Sequence, residues 1–480
     1  MEGGGGAHVD RNRWLSSARG DSGVFDVAIV GAGVVGTAIA RELARYEISV
    51  LLIDGRDDVG DGTSKANTAI LHTGYDMAVG SLEARLVRRG YDLLKAHAAQ
   101  AGIATEDTGA LLVAWTSEER DMLPAMLLKA EANGYTEAVL IDAVELYRRE
   151  PNLGHGALAA LVIPGEWIID PWSSTLSYAI QAKLSGVEIE LGNKVDRINS
   201  DGAVHRLVTG RGCFEARFLV NAAGLHSDEI DAKVGKHDFS IYPRRGELIV
   251  FDKLARGLVS HIILPVPTAM GKGVLVAPTI FGNVMVGPTA ENLTDKADTA
   301  SSSAGIEFLR RKCGSILPDL LNEEITSIYA GLRAASDASD YQIRAHCELR
   351  YVTVGGIRST GLTASMAIAE YVRDLLVEAG LGLGSAGELP LVRLPNLGEA
   401  RPRPYQLEQL ISGDACYGEI VCHCERVTRG EIRDALAGPI PPRSAGALAR
   451  RTRAGLGRCQ GFYCHAELTQ IMQSAGAVRL

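Results

Sequence analysis

One short stretch near the start of the chain constrains the fold more than any other. The apolar run 24–30 is typical of a fully buried strand, and it leads directly into Gly31-Ala-Gly-Val-Val-Gly36. Gly31 allows a tight turn, Gly33 lets the backbone approach a pyrophosphate, and Gly36 lets the following helix pack closely on the strand. The helix also points the positive end of its dipole at the phosphates. The pattern therefore predicts a βαβ unit that binds a dinucleotide.

An acidic residue follows at the position that such a unit requires. Residues 48–53 are typical of the next strand, and Asp54 comes directly after them. A carboxylate at this spacing binds the ribose hydroxyls of an adenine dinucleotide. The glycines alone do not distinguish NAD from FAD, and a βαβ unit whose glycines serve only packing is the alternative. The identity of the dinucleotide stays open at this point.

Length and charge narrow the range of functions. A chain of 480 residues is long enough for about three compact units. Its formal net charge of −9 argues against a general nucleic-acid binder. The first residues lack the apolar core of a signal peptide, and no stretch reaches the roughly 18 apolar residues of a membrane span. We therefore expect a cytoplasmic protein that contacts no nucleic acid and reaches a membrane only through a partner.

Four cysteines near the C-terminus form two tight pairs, Cys422-x-Cys424 and Cys459-x4-Cys464. Four thiolates held in this way supply the ligands of a [2Fe–2S] cluster. Zinc is a poorer fit because zinc-binding cysteines are usually separated by two residues. A pair of disulfides would require an oxidising compartment, and four unrelated thiols are the remaining alternative.

Three further segments resemble the flavin-binding motifs of the D-amino-acid-oxidase-like FAD-dependent oxidoreductases. Segment 62–74 resembles the stretch that runs beneath the flavin, and 218–224 resembles a second dinucleotide contact. Segment 350–365 resembles the C-terminal flavin motif, in which a helix directs its positive end at the ring. The resemblance covers most of residues 24–380 and implies that the dinucleotide is FAD. Besides the fingerprint residues, it implies cofactor contacts from Thr63, Ser64, Asn67, Val195, Gly224, Gly356, Gly361, Leu362 and Thr363.

The cysteine-rich segments, 421–432 and 455–464, resemble the small ferredoxin module known from bacterioferritin-associated ferredoxin. This resemblance implies that the four cysteines bind a [2Fe–2S] cluster. The whole chain is similar to the group that contains anaerobic glycerol-3-phosphate dehydrogenases and L-2-hydroxyglutarate oxidases, which oxidise a secondary alcohol beside an anionic group.

The resemblance implies an FAD-dependent dehydrogenase of a small anionic hydroxy compound, most like glycerol 3-phosphate. Electrons would leave through the cluster to an acceptor protein or a quinone-linked subunit. One alternative is a dehydrogenase or oxidase of L-2-hydroxyglutarate or another 2-hydroxy acid. Others are an amino-acid or amine dehydrogenase and a non-catalytic flavoprotein that relays electrons or senses redox state.

Candidate catalytic residues follow from the same resemblance. Arg333 corresponds to the arginine that binds the substrate anion in related enzymes, and its planar fork suits a carboxylate or a phosphate. His72 lies where relatives carry a histidine near the substrate hydroxyl, and imidazole exchanges protons near neutral pH. Arg245, with its neighbour Arg244, would add a second cation for a phosphate. Each of these side chains has a structural alternative, as an ion-pair partner or a hydrogen-bonded core residue. Further expected members of the pocket are Tyr329 as a substrate-binding residue, His261 and Lys272.

The expected fold is of the α/β class with an α+β second layer. It comprises a Rossmann-like FAD domain, an antiparallel-sheet substrate domain and a small helical C-terminal cysteine module. Short strands across 241–288 predict the antiparallel sheet, whereas 81–145 reads as mostly helical and 187–195 as one strand. The basic cluster Arg450, Arg451 and Arg453 is typical of a solvated face, or of a docking patch for an acidic partner. The predicted boundaries are 1–22 for a disordered segment; 23–80, 150–235 and 330–380 for the FAD domain; 81–149 and 236–329 for the substrate domain; 381–415 for a linker; and 416–480 for the cysteine module.

Overall fold

The structure of the protein, a computed structural model, describes residues 23–267 and 273–477. The predicted disordered segment 1–22 and the pocket candidate Lys272 lie outside the described residues. Within the described ranges, no helix is both long enough and apolar enough to cross a membrane.

The described residues form two large sheets and two small ones. Strands β1 to β22 are, in chain order, Phe25–Val30, Val50–Ile53, Ile70–Leu71, Thr105–Glu106, Ala110–Ala114, Val139–Asp142, Ala159–Ile163, Trp167–Ile169, Glu188–Glu190, Val195–Ser200, His205–Thr209, Gly212–Asn221, Ile241–Phe251, Ile262–Pro265, Leu275–Pro278, Val284–Gly287, Glu291–Asn292, Ile325–Ser336, Gln342–His346, Tyr351–Gly355, Ile420–Cys422 and Val427–Thr428.

The helices lie mainly around the first large sheet and in the C-terminal module. Helices α1 to α12 are, in chain order, Val34–Leu43, Leu82–Ala101, Ser117–Ala132, Ala143–Arg149, Pro171–Leu184, Ser227–Lys233, Ser303–Ile316, Gly361–Glu378, Glu408–Gly413, Arg429–Ala437, Ala445–Thr452 and His465–Ser474.

The first sheet carries the dinucleotide-binding unit. Its centre is parallel: β1 pairs with β2 and β12, β2 pairs with β9, and β12 pairs with β20. Strands β10, β11 and β19 extend the sheet through antiparallel pairings. β2 is buried along its whole length, so it appears in the sequence as a continuous apolar run. Helices α1, α2, α5 and α8 pack against this sheet in one apolar core. The predicted α/β fold with a Rossmann-like sheet is confirmed.

The second sheet is larger and mostly antiparallel. Its strand order is β17-β13-β16-β15-β14-β5-β7-β6, and β18 pairs with β13 along eleven residue positions from Ile241 to Phe251. The four strands predicted between 241 and 288 are present as β13 to β16. The pairing of β14 with β5 is parallel, so the sheet as a whole is mixed. Separate apolar clusters lie on its two faces.

Two local predictions differ from the structure. Segment 81–145, predicted to be mostly helical, also contains three strands, and one of them, β5, is fully buried in the second sheet. A short apolar run of this kind cannot be distinguished from a buried helix by its periodicity. The single strand predicted over 187–195 is two strands, β9 and β10. They are separated by a turn at Gly192, whose φ of +64° lies in the left-handed region.

The two sheets also divide the chain differently from the predicted boundaries. β7 and residues 330–336 of β18 belong to the second sheet, although both fall in segments assigned to the FAD domain. Helix α2 packs with α8 in the core of the first sheet rather than with the second sheet. Sheet membership depends on hydrogen bonds between distant strands, which a local pattern does not reveal.

The C-terminal part begins with an extended connection and ends in a compact module. Residues 381–403 contain no helix or strand, and hydrogen bonds such as Gln181 Nε2 to Pro390 O (2.9 Å) attach them to the first half of the chain. The module consists of the hairpin β21–β22 and helices α10 to α12. Its own small core includes Val421, Ile432, Leu448 and Leu468.

Candidate functional site

A large cavity is bordered by residues from both large sheets. Its volume is about 2050 Å³, whereas ordinary small-ligand pockets have roughly 300–1,000 Å³. The lining includes the ends of β1 and β2, segment 62–68, the start of α8, and the facing strands β13 and β18. The cavity therefore has room for a dinucleotide together with a second small molecule.

The glycine fingerprint brings α1 close to the first sheet. A Cβ added at Gly31 would lie 2.4 Å from the Ala222 carbonyl oxygen, and one added at Gly36 would lie 1.8 Å from the Gly31 carbonyl oxygen. Gly33 borders the cavity itself, at the N-terminus of α1. The glycines thus bring the N-terminus of α1, the positive end of its dipole, to the cavity wall, where a phosphate is favoured.

Asp54 lies at the cavity edge, at the end of β2. Its two carboxylate oxygens accept hydrogen bonds from the backbone N–H groups of Ala32 (2.7 Å) and Arg56 (2.8 Å). Burial raises the pKa of Asp54, while these N–H groups oppose the shift. The carboxylate is therefore held rigidly beside the fingerprint turn, as a ribose-binding group requires.

Asn193 borders the cavity near Asp54 and was not expected from the sequence. Its side chain is buried and borders the cavity, and among the described residues neither its amide nitrogen nor its amide oxygen has a hydrogen-bond partner. Buried polar groups are nearly always paired. A nucleotide bound between Asp54 and Val195, which both border the same region, would supply the missing partner.

The segment beneath the predicted flavin is fixed from both sides. Ser64 Oγ accepts a hydrogen bond from the N–H of Val34 (3.0 Å), and Thr63 Oγ1 donates to the Leu332 carbonyl oxygen (3.0 Å). Asn67 Nδ2 donates to the Ser64 carbonyl oxygen (2.7 Å). Thr63, Ser64 and Asn67 all border the cavity. The segment is therefore held between the first turn of α1 and strand β18.

The remaining predicted cofactor residues fall into two groups. Gly224, Gly361 and Leu362 border the cavity. Gly356 and Thr363 are not among the bordering residues; Thr363 Oγ1 accepts the backbone N–H of His72 (3.0 Å) and so supports the wall from behind. Helix α8 begins at Gly361, so the positive end of its dipole faces the cavity.

His72 borders the cavity and is oriented by a buried carboxylate. Its Nδ1 lies 2.9 Å from Oε2 of Glu166, which is 1% exposed. The other oxygen of Glu166 accepts hydrogen bonds from the N–H (2.7 Å) and the hydroxyl (2.9 Å) of Thr73. The carboxylate favours a proton on Nδ1, and Nε2 has no partner among the described residues. Glu166 lies 94 residues from His72, so sequence reasoning did not connect them.

Arg333 and Arg244 face the cavity as a pair. They occupy directly opposed positions of the antiparallel strands β18 and β13, which places both side chains on one face. Arg333 Nη2 donates to the Thr289 carbonyl oxygen (3.0 Å), while Arg244 makes no hydrogen bond or ion pair with any described residue. Burial, and then the charge of Arg244, lower the pKa of Arg333 to about 10. Two neighbouring cations without an acidic partner in the described part of the chain form a site for an anion.

Arg245 borders the same cavity, but it points to the other face of β13 from Arg244 and Arg333. It is 7% exposed, and its guanidinium donates to Glu291 Oε2 (2.5 Å), Asp298 Oδ2 (3.4 Å) and the Ala300 carbonyl oxygen (3.0 Å). The predicted substrate contact of Arg245 thus competes with two carboxylates of its own chain. This geometry favours Arg244 as the second cation. Adjacent strand residues point to opposite faces, and only the sheet register shows that Arg244 is the one on the face of Arg333.

Two further pocket candidates are engaged elsewhere. The hydroxyl of Tyr329 donates to the Asn67 carbonyl oxygen (3.2 Å), and Tyr329 is not among the residues that border the cavity. His261 Nδ1 lies 2.6 Å from Glu150 Oε1, also away from the bordering residues. Tyr329 therefore does not border the cavity but holds Asn67, which does.

The four module cysteines lie together as two contacting pairs. Burial and then the neighbouring Cys459 thiol raise the pKa of Cys424, and burial and then the Cys422 thiol raise that of Cys464, so the two thiols of each pair lie close together. The backbone N–H of Tyr463 is the main cause of a lowered pKa at Cys459, and burial, with Cys422, raises the pKa of Cys464 to about 12. The N–H of Gly455 also donates to Cys422 Sγ (3.4 Å). Backbone donors aimed at thiolates are typical of iron–sulfur sites.

The described residues provide no preformed site for a single metal ion. In residues 23–267 and 273–477, no group of three or more His, Cys, Asp or Glu side chains is arranged to hold one metal ion. A [2Fe–2S] cluster requires four cysteine thiolates in total, the number that this module provides. A Cβ at Gly457 would lie 2.4 Å from the Cβ of Cys424, so a glycine leaves the space that this loop needs.

The family assignment rests on a match to most of the chain. The profile of the family described as "FAD dependent oxidoreductase" matches residues 26–375. The chain belongs to this family. A second profile, "BFD-like [2Fe-2S] binding domain", matches residues 420–474 of this FAD-dependent oxidoreductase. FAD and a [2Fe–2S] cluster are therefore its cofactors, and the predicted family and cofactors are confirmed.

Three similar proteins refine the assignment within the family. A glycerol 3-phosphate dehydrogenase of Caloramator mitchellensis is 35% identical over 94% of both chains. One subunit of the anaerobic glycerol-3-phosphate dehydrogenase of Escherichia coli is 24% identical over 94% of this chain and 89% of its own. Among solved structures, the FAD-bound, dithionite-reduced L-alpha-glycerophosphate oxidase of Mycoplasma pneumoniae is 29% identical. The match covers 78% of this chain and 99% of that one, with a TM-score of 0.73.

Proposed function

We propose that this FAD-dependent oxidoreductase oxidises the hydroxyl group of glycerol 3-phosphate or a close relative. The observation that carries the proposal is the joint placement of a histidine–carboxylate pair and an arginine pair around the cavity that the flavin segments border. The first pair suits proton removal from an alcohol, and the second suits an anion. The named activities of the three similar proteins support the same substrate.

His72 is the proposed base. Glu166 orients the ring, so that Nε2 accepts the hydroxyl proton as the substrate is oxidised. The buried Glu166 then stabilises the resulting imidazolium. FAD, when bound, supplies the acceptor for the hydride from the carbinol carbon. The start of α8 and the segment around Ser64 are the groups of this chain that would hold its ring.

The arginine pair favours a phosphate over a carboxylate. One carboxylate carries a single charge, whereas a phosphate monoester carries nearly two at neutral pH. Arg333 and Arg244 together match a dianion, and among the described residues neither faces an acidic partner on the cavity side. Arg333 alone would serve either anion. The geometry therefore supports a phosphorylated alcohol over a 2-hydroxy acid with a single carboxylate. L-2-hydroxyglutarate has two carboxylates and thus a similar total charge, so the reduction experiment below has to distinguish it from glycerol 3-phosphate.

Electrons would leave through the [2Fe–2S] module to a partner. One similar protein is named as one subunit of its enzyme, which indicates an assembly with other chains for that protein. We infer that the acceptor here is an electron-transfer protein or a quinone-linked subunit. The cytoplasmic location, with any membrane contact made through that partner, remains a prediction.

Anaerobic reduction of the bound flavin tests the proposal. Glycerol 3-phosphate should bleach the flavin, while glycerol, L-2-hydroxyglutarate and amino acids should not at equal concentration. The variant Arg244→Gln should require a higher concentration of glycerol 3-phosphate and leave the response to glycerol unchanged. The exposed Arg310→Gln serves as a matched control. Faster bleaching by a hydroxy acid or an amino acid than by glycerol 3-phosphate would refute the proposed substrate.

A further inference from the structure

Three arginines of the C-terminal module contact the rest of the protein: Arg451 and Arg453 are buried, and Arg450 is partly exposed at the rim. Arg450 Nη2 lies 2.6 Å from Asp58 Oδ2, and Arg451 donates to both oxygens of Asp58, at 2.9 and 2.6 Å. Arg450 also pairs with Asp61 at 3.0 Å. Asp58 is 4% exposed, so these arginines are neither a solvated face nor a free docking patch. The basic cluster of the sequence is an internal interface.

Asp58 is held as an anion by this contact. Burial alone would raise its pKa, but the hydrogen bonds and charges of Arg451 and Arg450 outweigh burial and lower it. Arg451 also donates to carbonyl oxygens of its own module, Ile440 (3.1 Å) and Ala447 (2.9 Å). Ile440 in turn packs in the apolar core of the first sheet. One side chain therefore links the module backbone to the FAD-binding part of the chain.

Arg453 forms a second contact, next to the cysteines. Its guanidinium lies 4.2 Å from the ring centre of Phe281 and 5.8 Å from that of Trp172, and these two rings stack at 5.0 Å. Its Nε lies 3.2 Å from Oε2 of Glu425, the residue that follows Cys424. The cluster-binding loop is thereby attached to an aromatic pair outside the module.

The aromatic pair leads back to the flavin segment. Trp172 Nε1 donates to the Lys65 carbonyl oxygen (3.1 Å), and the neighbours of Lys65, Ser64 and Ala66, border the cavity. The cavity between Asp58, Trp172 and Arg450 has a volume of only about 10 Å³, close to the smallest space that holds one water molecule. The module and the FAD-binding unit are thus in direct contact at this point.

The second sheet supplies further anchors. Arg458, beside Cys459, donates to Asp252 Oδ1 (2.7 Å). Lys253 pairs with Glu425 at 3.1 Å. The buried Arg403, at the end of the extended connection, donates to the Glu425 carbonyl oxygen (3.1 Å). Charged contacts from the segment after β2, from the residues after β13 and from the end of the extended connection therefore hold the module, and several of them are buried.

We propose that the module is permanently docked through Asp58, Arg450 and Arg451, and that electrons pass from flavin to cluster within one chain across the contact of Lys65, Trp172 and Arg453. This rests on the proposed function only for the source of the electrons. Oxidation of one alcohol releases a hydride, which bound FAD would accept, and a proton, which His72 would accept. The cluster, when bound, would pass the two electrons of the hydride one at a time to a one-electron acceptor protein.

The order of the reaction tests the proposal in the holoprotein. Glycerol 3-phosphate is added without air, flavin bleaching is followed by absorbance, and cluster reduction by its electron-spin signal. The observed rate constant of cluster reduction should not change with protein concentration. An observed rate constant that rises in proportion to protein concentration would show transfer between molecules and overturn the inference. Absence of flavin bleaching would instead contradict the proposed function, and the flavin is then reduced with light and EDTA for the same measurement.

Variants separate docking from the electron route. Asp58→Asn should shift the equilibrium between docked and undocked module by about 100-fold towards the undocked form. Amide hydrogen exchange in α11 should then be faster and cluster reduction slower. The rate of flavin bleaching should stay unchanged. Asp57→Asn, at an exposed neighbour, is the control. If Asp58→Asn does not fold, the rim residue Arg450→Gln tests the same contact. Unchanged exchange in α11 in the variant that folds would refute docking through this site.

Trp172→Leu tests the route itself. It should slow cluster reduction and leave hydrogen exchange in α11 as in the wild type. If cluster reduction keeps its wild-type rate in this variant, with α11 still protected, Trp172 does not lie on the route.

Discussion

Replacing Arg333 with methionine should stabilise the substrate-free fold and weaken its binding of an anionic substrate. Burial and the neighbouring Arg244 lower the pKa of Arg333 to about 10, a change that corresponds to roughly 3 kcal/mol of destabilisation of the folded state. Methionine removes that cost and loses one hydrogen bond to the Thr289 carbonyl oxygen, worth about 1 kcal/mol. We expect a net gain of about 2 kcal/mol in the free energy of unfolding.

Substrate binding should change in the opposite direction. Loss of a charged partner from a desolvated anion costs about 2 to 5 kcal/mol, so half-saturation of flavin bleaching by glycerol 3-phosphate should rise by at least about 30-fold. Urea unfolding of the holoprotein gives the stability, and anaerobic bleaching at varied substrate concentration gives the half-saturation. The exposed Arg310→Met is the control and should alter neither quantity.

The direction of the Arg333 pKa shift determines how the stability gain of Arg333→Met depends on pH. The folded state holds the Arg333 charge less favourably than the unfolded chain does, so the destabilisation is fully present below about pH 10. It fades only as the pH rises above the folded value of about 10 towards the higher pKa of the unfolded chain. The stability gain of Arg333→Met should therefore be equal at about pH 6 and about pH 9. A variant that is less stable than wild type, with unchanged half-saturation, would refute this reasoning.

Three further predictions concern other parts of the chain. Glu166→Gln should slow flavin bleaching by about 10- to 100-fold without changing half-saturation, since it disturbs only the orientation of His72. Stopped-flow absorbance measures the bleaching rate and the half-saturation. Equal bleaching rates in variant and wild type would show that Glu166 is not part of the site. Burial lowers the pKa of His97 to about 3, so the unfolded chain takes up a proton that the folded chain refuses. Stability measured by urea unfolding should therefore fall as the pH falls below about 6.5, and His97→Gln should reduce that slope. Cys424→Ser should abolish the cluster absorbance and spin signal, while glycerol 3-phosphate still bleaches the flavin; one equivalent of zinc in place of iron and sulfide in the air-free wild type would contradict the relay.

Some features of this protein are local and were therefore predictable. The strand before Gly31, the helix after it, and Asp54 at the end of β2 all lie within about 30 residues, the span of a βαβ unit. The spacing of the four cysteines is likewise a local property. Short-range backbone geometry decides these features, and distant parts of the chain do not alter them.

The side-chain partners could not be predicted, because they come from distant segments. Glu166 approaches His72 only when β8 pairs with β3, and Asp58 meets Arg451 across 393 positions of the chain. The choice between Arg244 and Arg245 depends on the register of β13 against β18. Strand β5 shows the same limit, because a short apolar run fits a strand or a buried helix equally well.

Anaerobic mixing of the holoprotein with glycerol 3-phosphate tests the central claim most directly, when flavin absorbance and the cluster spin signal are followed in the same sample. The account predicts that the flavin bleaches first and that the spin signal of the reduced cluster then appears, with an amplitude proportional to the amount of protein. A flavin that glycerol 3-phosphate does not reduce, or a reduced flavin beside a cluster that stays oxidised, would contradict it.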